Sequence, residues 1–258
     1  MALKALTGSR FDVLGGVPER TARDRVLALL VDAIRAGVFE VGDRLPNLRD
    51  LADELGISHV VARQAIEVLV ECGVLDVRPG RGGGVFLVSS TGLAQALREI
   101  YDVPTPDEAR NLLEARFVVQ RAVVRRAVMH ADARDLAELG ALVSRMRHTR
   151  LFQEFTELTV RFHLRLALTA RNVMLTSFLR EVLNRMALYG MNRAGTLLTE
   201  DQVIERGCVL YEQLYEILIR SEVDAPDSWV DQHIHFVQDL YDFEVANSGG
   251  VLSEVRPV

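Results

Sequence analysis

Residues 47–88 leave the backbone little freedom. Asn47 can accept hydrogen bonds from the first turn of a short helix over Leu48–Leu55, which sets Leu51 and Ala52 on one side. Gly56 ends that helix, because only glycine turns sharply into left-handed space without penalty. Two residues on, Ser58 offers a second cap to a helix running to about Cys72, with Gly73 as its stop. Ala62, Ala65, Ile66 and Leu69 share one stripe of it, and the two alanines allow another helix to cross closely. Residues 74–78 then alternate like a strand, Pro79 to Gly84 can be neither helix nor central strand, and residues 85–88 return as strand. That is a β-hairpin with a flexible, basic tip.

A further helix precedes this run. Thr21 can cap it, Asp24 suits its positive end, Val26, Leu27, Leu30, Ala33 and Ile34 form its apolar face, and Gly37 stops it. Residues 41–46 read as a turn leading into the short helix. Helix, short helix, glycine turn, helix, hairpin is the order of a winged helix-turn-helix. On the second long helix, 100° per residue points Val60, Arg63, Gln64 and Glu67 away from the apolar stripe. Arg63 could fork onto a guanine, Gln64 pair with an adenine and Val60 meet a thymine methyl, while Ser58 and the free N–H groups of the first turn suit a phosphate. Arg78 and Arg81 beside Pro79 and Gly80 become wing contacts to backbone or minor groove.

From residue 93 onward every periodic segment reads as helix. Thr105, Pro106 and Glu108 start a long one to about His130, with Glu108 at the capping-box position. Asp132 restarts another to about Thr149. The rest span about 152–170, 172–194, Thr199 (with Gln202 completing a second capping box) to Ser221, and Pro226 to Ala246. Six or seven helices joined by short loops make an antiparallel all-α bundle. The expected organisation is therefore mostly α: a flexible arm over 1–18, a winged helix-turn-helix with a small hairpin wing over 19–90, an all-helical domain over 91–246 and a tail over 247–258.

Composition narrows the function classes. The chain has 258 residues and a formal charge of −6, with 11 basic against 12 acidic side chains in residues 1–90, so it is no bulk binder of nucleic acid. A sequence-specific reader needs only a local basic edge. No apolar run approaches the roughly 20 residues of a membrane span, and the first 17 lack a signal peptide's apolar stretch, which predicts a cytoplasmic protein without a membrane partner. Cys72 and Cys208 are far apart and follow no metal-ligand spacing, so both read as reduced, packed thiols.

The run GDRLPNLRDLADELGIS (42–58), followed by Arg63, Gln64, Ala65 and Ile66, resembles the signature of GntR-family regulators, close to G-x-x-L-P-S-x-R-x-L-A-x-x-L-G-V-S-R-x-x-V-R-x-A-L. The likeness continues through Gly73 and the glycine-rich tip, covering about 20–88. It implies DNA contacts at Arg49, Ser58, His59, Arg63 and Gly80. Asn47 replaces the usual serine and still caps. His59 replaces the usual arginine, and Val60 and Val61 stand where polar residues or proline are common, which implies a weaker grip on phosphate.

The helical part, with Leu112, Leu113, Glu114 and Arg116 in its long helix and Phe162-His163 followed by Asn172, resembles the ligand-binding domain of the FadR subfamily. Many domains of that type hold a divalent metal through an Asp-x-x-x-His pair and one histidine from each of two later helices, and the metal grips a carboxylate effector. Here the pair is Thr159 and His163, the first later histidine aligns with Tyr211 and the second with His233. Two of four ligands are absent, so no cofactor is expected. His163 and His233 remain as weak metal candidates and as hydrogen-bonding pocket residues, with Arg116 free to supply the missing charge. Arg116 reads equally well as half of a structural ion pair, and His235 competes with His233 for its register. Phe152, Phe155, Phe162, Phe178, Met174, Met186 and Met191 read as core, or as walls around an acyl chain.

The resemblance implies a homodimeric transcription regulator on a palindromic operator, a repressor more readily than an activator, controlled by a small acyl or carboxylate effector. Two other classes remain. A metal-dependent helical-bundle enzyme would show turnover or one tightly bound metal per chain, and the sequence offers no nucleophile with a base to support it. An effector-independent DNA-binding protein would lack any ligand-accessible site in its helical part.

Overall fold

A computed structural model describes residues 21–191 and 198–241. The arm and tail expected over 1–18 and 247–258 lie outside them, as do the last residues of the helices expected to reach 194 and 246. Close contacts group the described chain into two units, residues 21–31 with Val41–Ile100, and Asp32–Glu40 with residues 101–241.

The first unit holds α1 (Ala22–Arg35) up to Val31, α2 (Leu48–Leu55), α3 (His59–Glu71), β1 (Leu75–Arg78), β2 (Gly84–Leu87) and the short α4 (Leu93–Leu97). Local chemistry explains each start. The Asn47 side chain accepts from the N–H groups of Arg49 and Asp50, both at 3.0 Å, and Ser58 accepts from Val61 at 3.3 Å. Gly56 sits at φ 62°, ψ 38°, where a Cβ would crowd the following carbonyl. Ala62, Ala65, Ile66 and Leu69 of α3 are buried, as their spacing requires.

β1 and β2 pair antiparallel, Leu75 opposite Leu87 and Arg78 opposite Gly84. The tip between them closes with Gly83 donating to the Gly80 carbonyl at 2.9 Å. At Gly83 any Cβ would run into the Arg78 carbonyl oxygen, so the path of the tip is set by glycine. Val41 and Gly42 make the expected turn, Gly42 at φ 101°. Residues 43–45 then add a short extended segment against β2, with Arg44 bridging Phe86, Leu45 donating to Val85 at 2.8 Å and Leu87 donating to Asp43 at 2.9 Å. Glycine and proline suggested a loop there; the open edge of β2 supplied ladder partners that no local pattern reveals.

The second unit contains six helices among its described residues: α5 (Pro106–His130), α6 (Ala133–His148), α7 (Phe152–Thr169), α8 (Val173–Met191), α9 (Glu200–Arg220) and α10 (Pro226–Tyr241). Thr105 with Glu108, Asp132 with Asp135 and Thr199 with Gln202 each close a capping box. α5 packs on α7, α8 and α10, α6 on α7 and α9, and α9 on α10, so α5 lies within the bundle. Phe155, Phe162 and Met186 are buried core, and Phe152 packs partly buried against it. Met174 and Phe178 are exposed instead, at 61% and 54%: four residues apart, they share a face of α8 beside the one on which Leu175, Leu179, Val182 and Met186 pack against the core. The side chain of Met191 lies outside the described residues.

Candidate functional site

The first unit presents one outward face. On α3, His59, Val60, Arg63, Gln64 and Glu67 are exposed, and Val60 is 64% accessible despite being apolar. Exposing a valine at the start of a helix forfeits burial worth about 1.5–3 kcal/mol. Arg63 has no ion-pair partner among the described residues, nor has Arg81. Arg49, exposed on α2, reaches Asp53 only at 4.0 Å. Ser58 is held by its capping bond, which also orients the free N–H groups of the first turn.

Arg78 is different. Its Nε lies 2.9 Å from Asp76 and its guanidinium sits 4.3 Å over the Phe86 ring, so it is braced along the hairpin. Gly80 and Arg81 occupy the exposed tip, Gly80 at φ 91°. The arrangement is a partly basic helix face with a glycine-built basic wing, and the carboxylates of Asp50, Asp53, Glu67 and Asp76 keep its net charge low. Such a surface suits local phosphate contact and base reading rather than bulk attraction.

The second unit buries a polar ring inside its apolar core. Arg116 and Gln120 come from α5, one turn apart, His163 from α7, Tyr211 from α9 and His233 from α10. All five are buried. Arg116 Nε donates to Gln120 Oε1 at 3.2 Å, which leaves the Gln120 amide to donate to His233 Nδ1 at 3.0 Å. His233 must then carry its proton on Nε2, 3.5 Å from the Tyr211 hydroxyl. That hydroxyl lies 3.0 Å from His163 Nε2, and Arg116 Nη2 lies 3.2 Å from the same nitrogen. A single lone pair therefore faces two donors, a guanidinium N–H and a phenol O–H. His163 then protonates on Nδ1, which is buried and has no hydrogen-bond partner among the described residues.

Electrostatics follows from this geometry. Burial holds both histidines well below the usual imidazole range, with the Arg116 charge adding to it at His163, and His163 then Arg116 at His233. Burial pushes the Tyr211 hydroxyl up, so it stays a neutral phenol. Arg116 is drawn down by burial but remains a cation, since a guanidinium titrates far above neutral pH. No carboxylate among the described residues pairs with it.

Thr159 stands one turn before His163, half-buried and close enough to the Tyr211 hydroxyl to act on its titration, while its own hydroxyl donates to the Thr156 carbonyl at 2.8 Å. All five residues expected at this site, Arg116, Thr159, His163, Tyr211 and His233, thus meet in one place. The ion pair considered for Arg116 is absent among the described residues. His233 is buried whereas His235 is exposed, its Nδ1 2.6 Å from the Asp231 carbonyl. Sequence reasoning missed Gln120, whose only signal was its i, i+4 spacing from Arg116. It also missed Trp229, which stacks on His233 at 4.9 Å and donates to the Leu210 carbonyl at 2.6 Å.

The residues do not fit the metal centre that related domains carry. Threonine replaces the carboxylate, a neutral phenol replaces an imidazole, and His163 Nε2 already faces a guanidinium. A dication about 5 Å from that guanidinium would be repelled by about 7 kcal/mol at an effective dielectric of about 20. Among the described residues no group of three or more histidine, cysteine, aspartate or glutamate side chains is placed to hold a metal ion.

A surface cleft of about 760 Å³ lies between α6, α9 and α10, lined by Ser144, Arg147, Glu212, Glu216, Arg220 and Trp229 among others. Its charges neutralise one another, Arg147 with Glu212 at 2.9 Å and Arg220 with Glu216 at 3.2 Å. The buried ring has no such internal balance and makes the stronger demand for a ligand.

Comparison with known proteins agrees with both halves. Residues 22–85 match the family described as bacterial regulatory proteins, gntR family, and residues 111–236 match the FCD domain. The chain is 25% identical over 215 residues to the Exu regulon transcriptional regulator of Escherichia coli (strain K12), covering 83% of this chain and 82% of that one. It is 26% identical over 121 residues to the Uxu operon regulator of Haemophilus influenzae, covering 47% and 44%. Streptococcus agalactiae GntR has a similar solved structure, with a TM-score of 0.45 at 20% identity over 84% of this chain and 98% of that one. Among the described residues no helix is long and apolar enough to cross a membrane. The chain belongs to the gntR family of bacterial regulatory proteins and is a transcription regulator with an FCD effector-binding domain.

Proposed function

We propose that this regulator works as a homodimeric repressor in the cytoplasm, binding a palindromic operator through α3 and its wing and releasing it when a small carboxylate or acyl effector enters the buried ring. The observation that carries the DNA half is the exposure of Val60, Arg63 and Gln64 directly opposite the buried Ala62, Ala65, Ile66 and Leu69. Arg63, Gln64 and Val60 read bases, His59 and Ser58 with the α3 N-terminus hold phosphate, and Arg49 adds a backbone contact. Arg81 and Gly80 form the wing contact, with Arg78 braced behind them. Two such modules on a two-fold axis match the two halves of a palindrome and multiply weak half-site affinities.

Effector control rests on Arg116, Thr159, His163, Tyr211 and His233. A ligand changes operator affinity only through its different affinity for the DNA-competent and released arrangements. The ring lacks an activated nucleophile, since both histidines are neutral and the Tyr211 proton is tightly held, which favours binding over catalysis.

Fluorescence anisotropy on DNA from the protein's own upstream region, over a salt series, tests the reading. Saturable, salt-sensitive binding that Arg63→Ala weakens is expected. Equal curves for the two proteins on that DNA and on a genome-selected site would reject α3 as the reader.

A further inference from the structure

The polar ring of the second unit has more donors than acceptors. Arg116 has five N–H groups and engages only Gln120 and His163 among the described residues. His163 Nε2 is asked to accept twice, and His163 Nδ1 is buried without a partner. Gln120 Oε1 already accepts from Arg116. The ring atom left without a partner is a donor, and the one formal charge is positive. The site lacks an acceptor-rich anion, and a divalent cation would deepen the imbalance.

We propose that Arg116 is the resident cation of this site and binds a monocarboxylate directly, in place of the divalent metal that related domains use. This rests on the effector reading above. The guanidinium offers a planar fork matched to a carboxylate, and the Tyr211 hydroxyl, released from the crowded His163 nitrogen, gives a further donor to the same anion. Thr159 and Tyr211 fit this arrangement as neutral hydrogen-bonding groups, where an aspartate would compete with the incoming carboxylate for Arg116. Gln120 and His233 act as positioning residues, since they hold Arg116 Nε and the Tyr211 hydroxyl without carrying charge.

The test uses the full chain, stripped with a chelator. One arm adds zinc chloride alone and measures bound metal after desalting. The other adds sodium acetate, L-lactate or octanoate at matched ionic strength, with octanamide as the uncharged control, and follows thermal stability and the fluorescence of Trp229, which stacks on His233. Expected are no stoichiometric zinc, a carboxylate response unchanged by chelator or zinc, none with octanamide, and affinity at least about tenfold weaker in Arg116→Gln. The triple variant Thr159→Asp, Tyr211→His, Arg116→Gln should take up one zinc per chain. Uptake of one zinc by the wild type that His163→Ala abolishes would overturn the proposal, as would a carboxylate response that needs zinc. So would silence towards all three carboxylates in a protein that still binds its operator, and that outcome leaves the DNA-binding reading intact. Loss of operator binding beside a normal carboxylate response would strike the regulator reading alone.

Discussion

Nη2 of Arg116 lies 3.2 Å from Nε2 of His163, so the only lone pair of a buried imidazole faces a permanent cation. The pairing works only while the ring stays neutral. A proton on Nε2 would remove the acceptor and set two buried positive charges side by side.

Stability should therefore fall with acid. Both His163 and His233 titrate well below the usual imidazole value when folded, so the unfolded chain binds more protons below about pH 6.5. Their contribution is fully present above that pH and is lost at about 1.4 kcal/mol per pH unit for each histidine as pH drops. Asp32, pushed up to about 6 by burial against the pull of Asn184 and Arg180, acts with the opposite sign between about pH 6 and its ordinary value. Urea unfolding at pH 7, 6 and 5 for wild type and His163→Gln isolates the histidine part. A wild-type slope no steeper than the variant's would contradict the neutral-ring assignment.

Arg63→Ala should weaken operator binding by about 1–3 kcal/mol and relax preference at one base pair, because a lost bidentate contact carries sequence information. Arg81→Ala should weaken binding evenly across sequences and lower the salt slope by about one, as expected of a phosphate contact. Anisotropy titrations on a panel of operator variants separate the two patterns.

Gly83→Ala should distort the wing, since its Cβ would collide with the backbone carbonyl of Arg78, which has no side-chain freedom to yield. Operator affinity should drop while unfolding of the second unit is unchanged. Equal affinity for wild type and variant would show that the tip contributes little to binding.

Gly207→Ala should destabilise the bundle by about 1–3 kcal/mol through overpacking. The new methyl would press on the Phe155 ring, whose Cε1 lies 2.9 Å from its position, and that ring is buried edge-on against Tyr211. Thermal unfolding gives the size of the loss, and a dimmer carboxylate response would show the strain reaching the polar ring.

Much of the fold was readable one turn at a time. Asn47, Ser58, Thr105 and Thr199 mark helix starts because a cap involves residues two or three apart, and Gly56 marks a stop for the same local reason. The family resemblance pointed to five residues, Arg116, Thr159, His163, Tyr211 and His233, that the bundle brings together. What escaped it depends on distant partners: the extended segment around Arg44 against Phe86, the surface position of Met174 and Phe178, and the place of Gln120 within the ring.

Helix limits, the glycine-built wing and the outward face of α3 were thus written in the chain itself, since each follows from backbone sterics and a 3.6-residue period. Whether Arg116 meets a carboxylate was not, because the answer depends on which side chains other helices bring within hydrogen-bond reach of its guanidinium. Only the packed bundle decides that, and it gives this cation an amide oxygen and a neutral imidazole instead of an acid, with the Tyr211 phenol and the His233 imidazole bonded to those partners in turn.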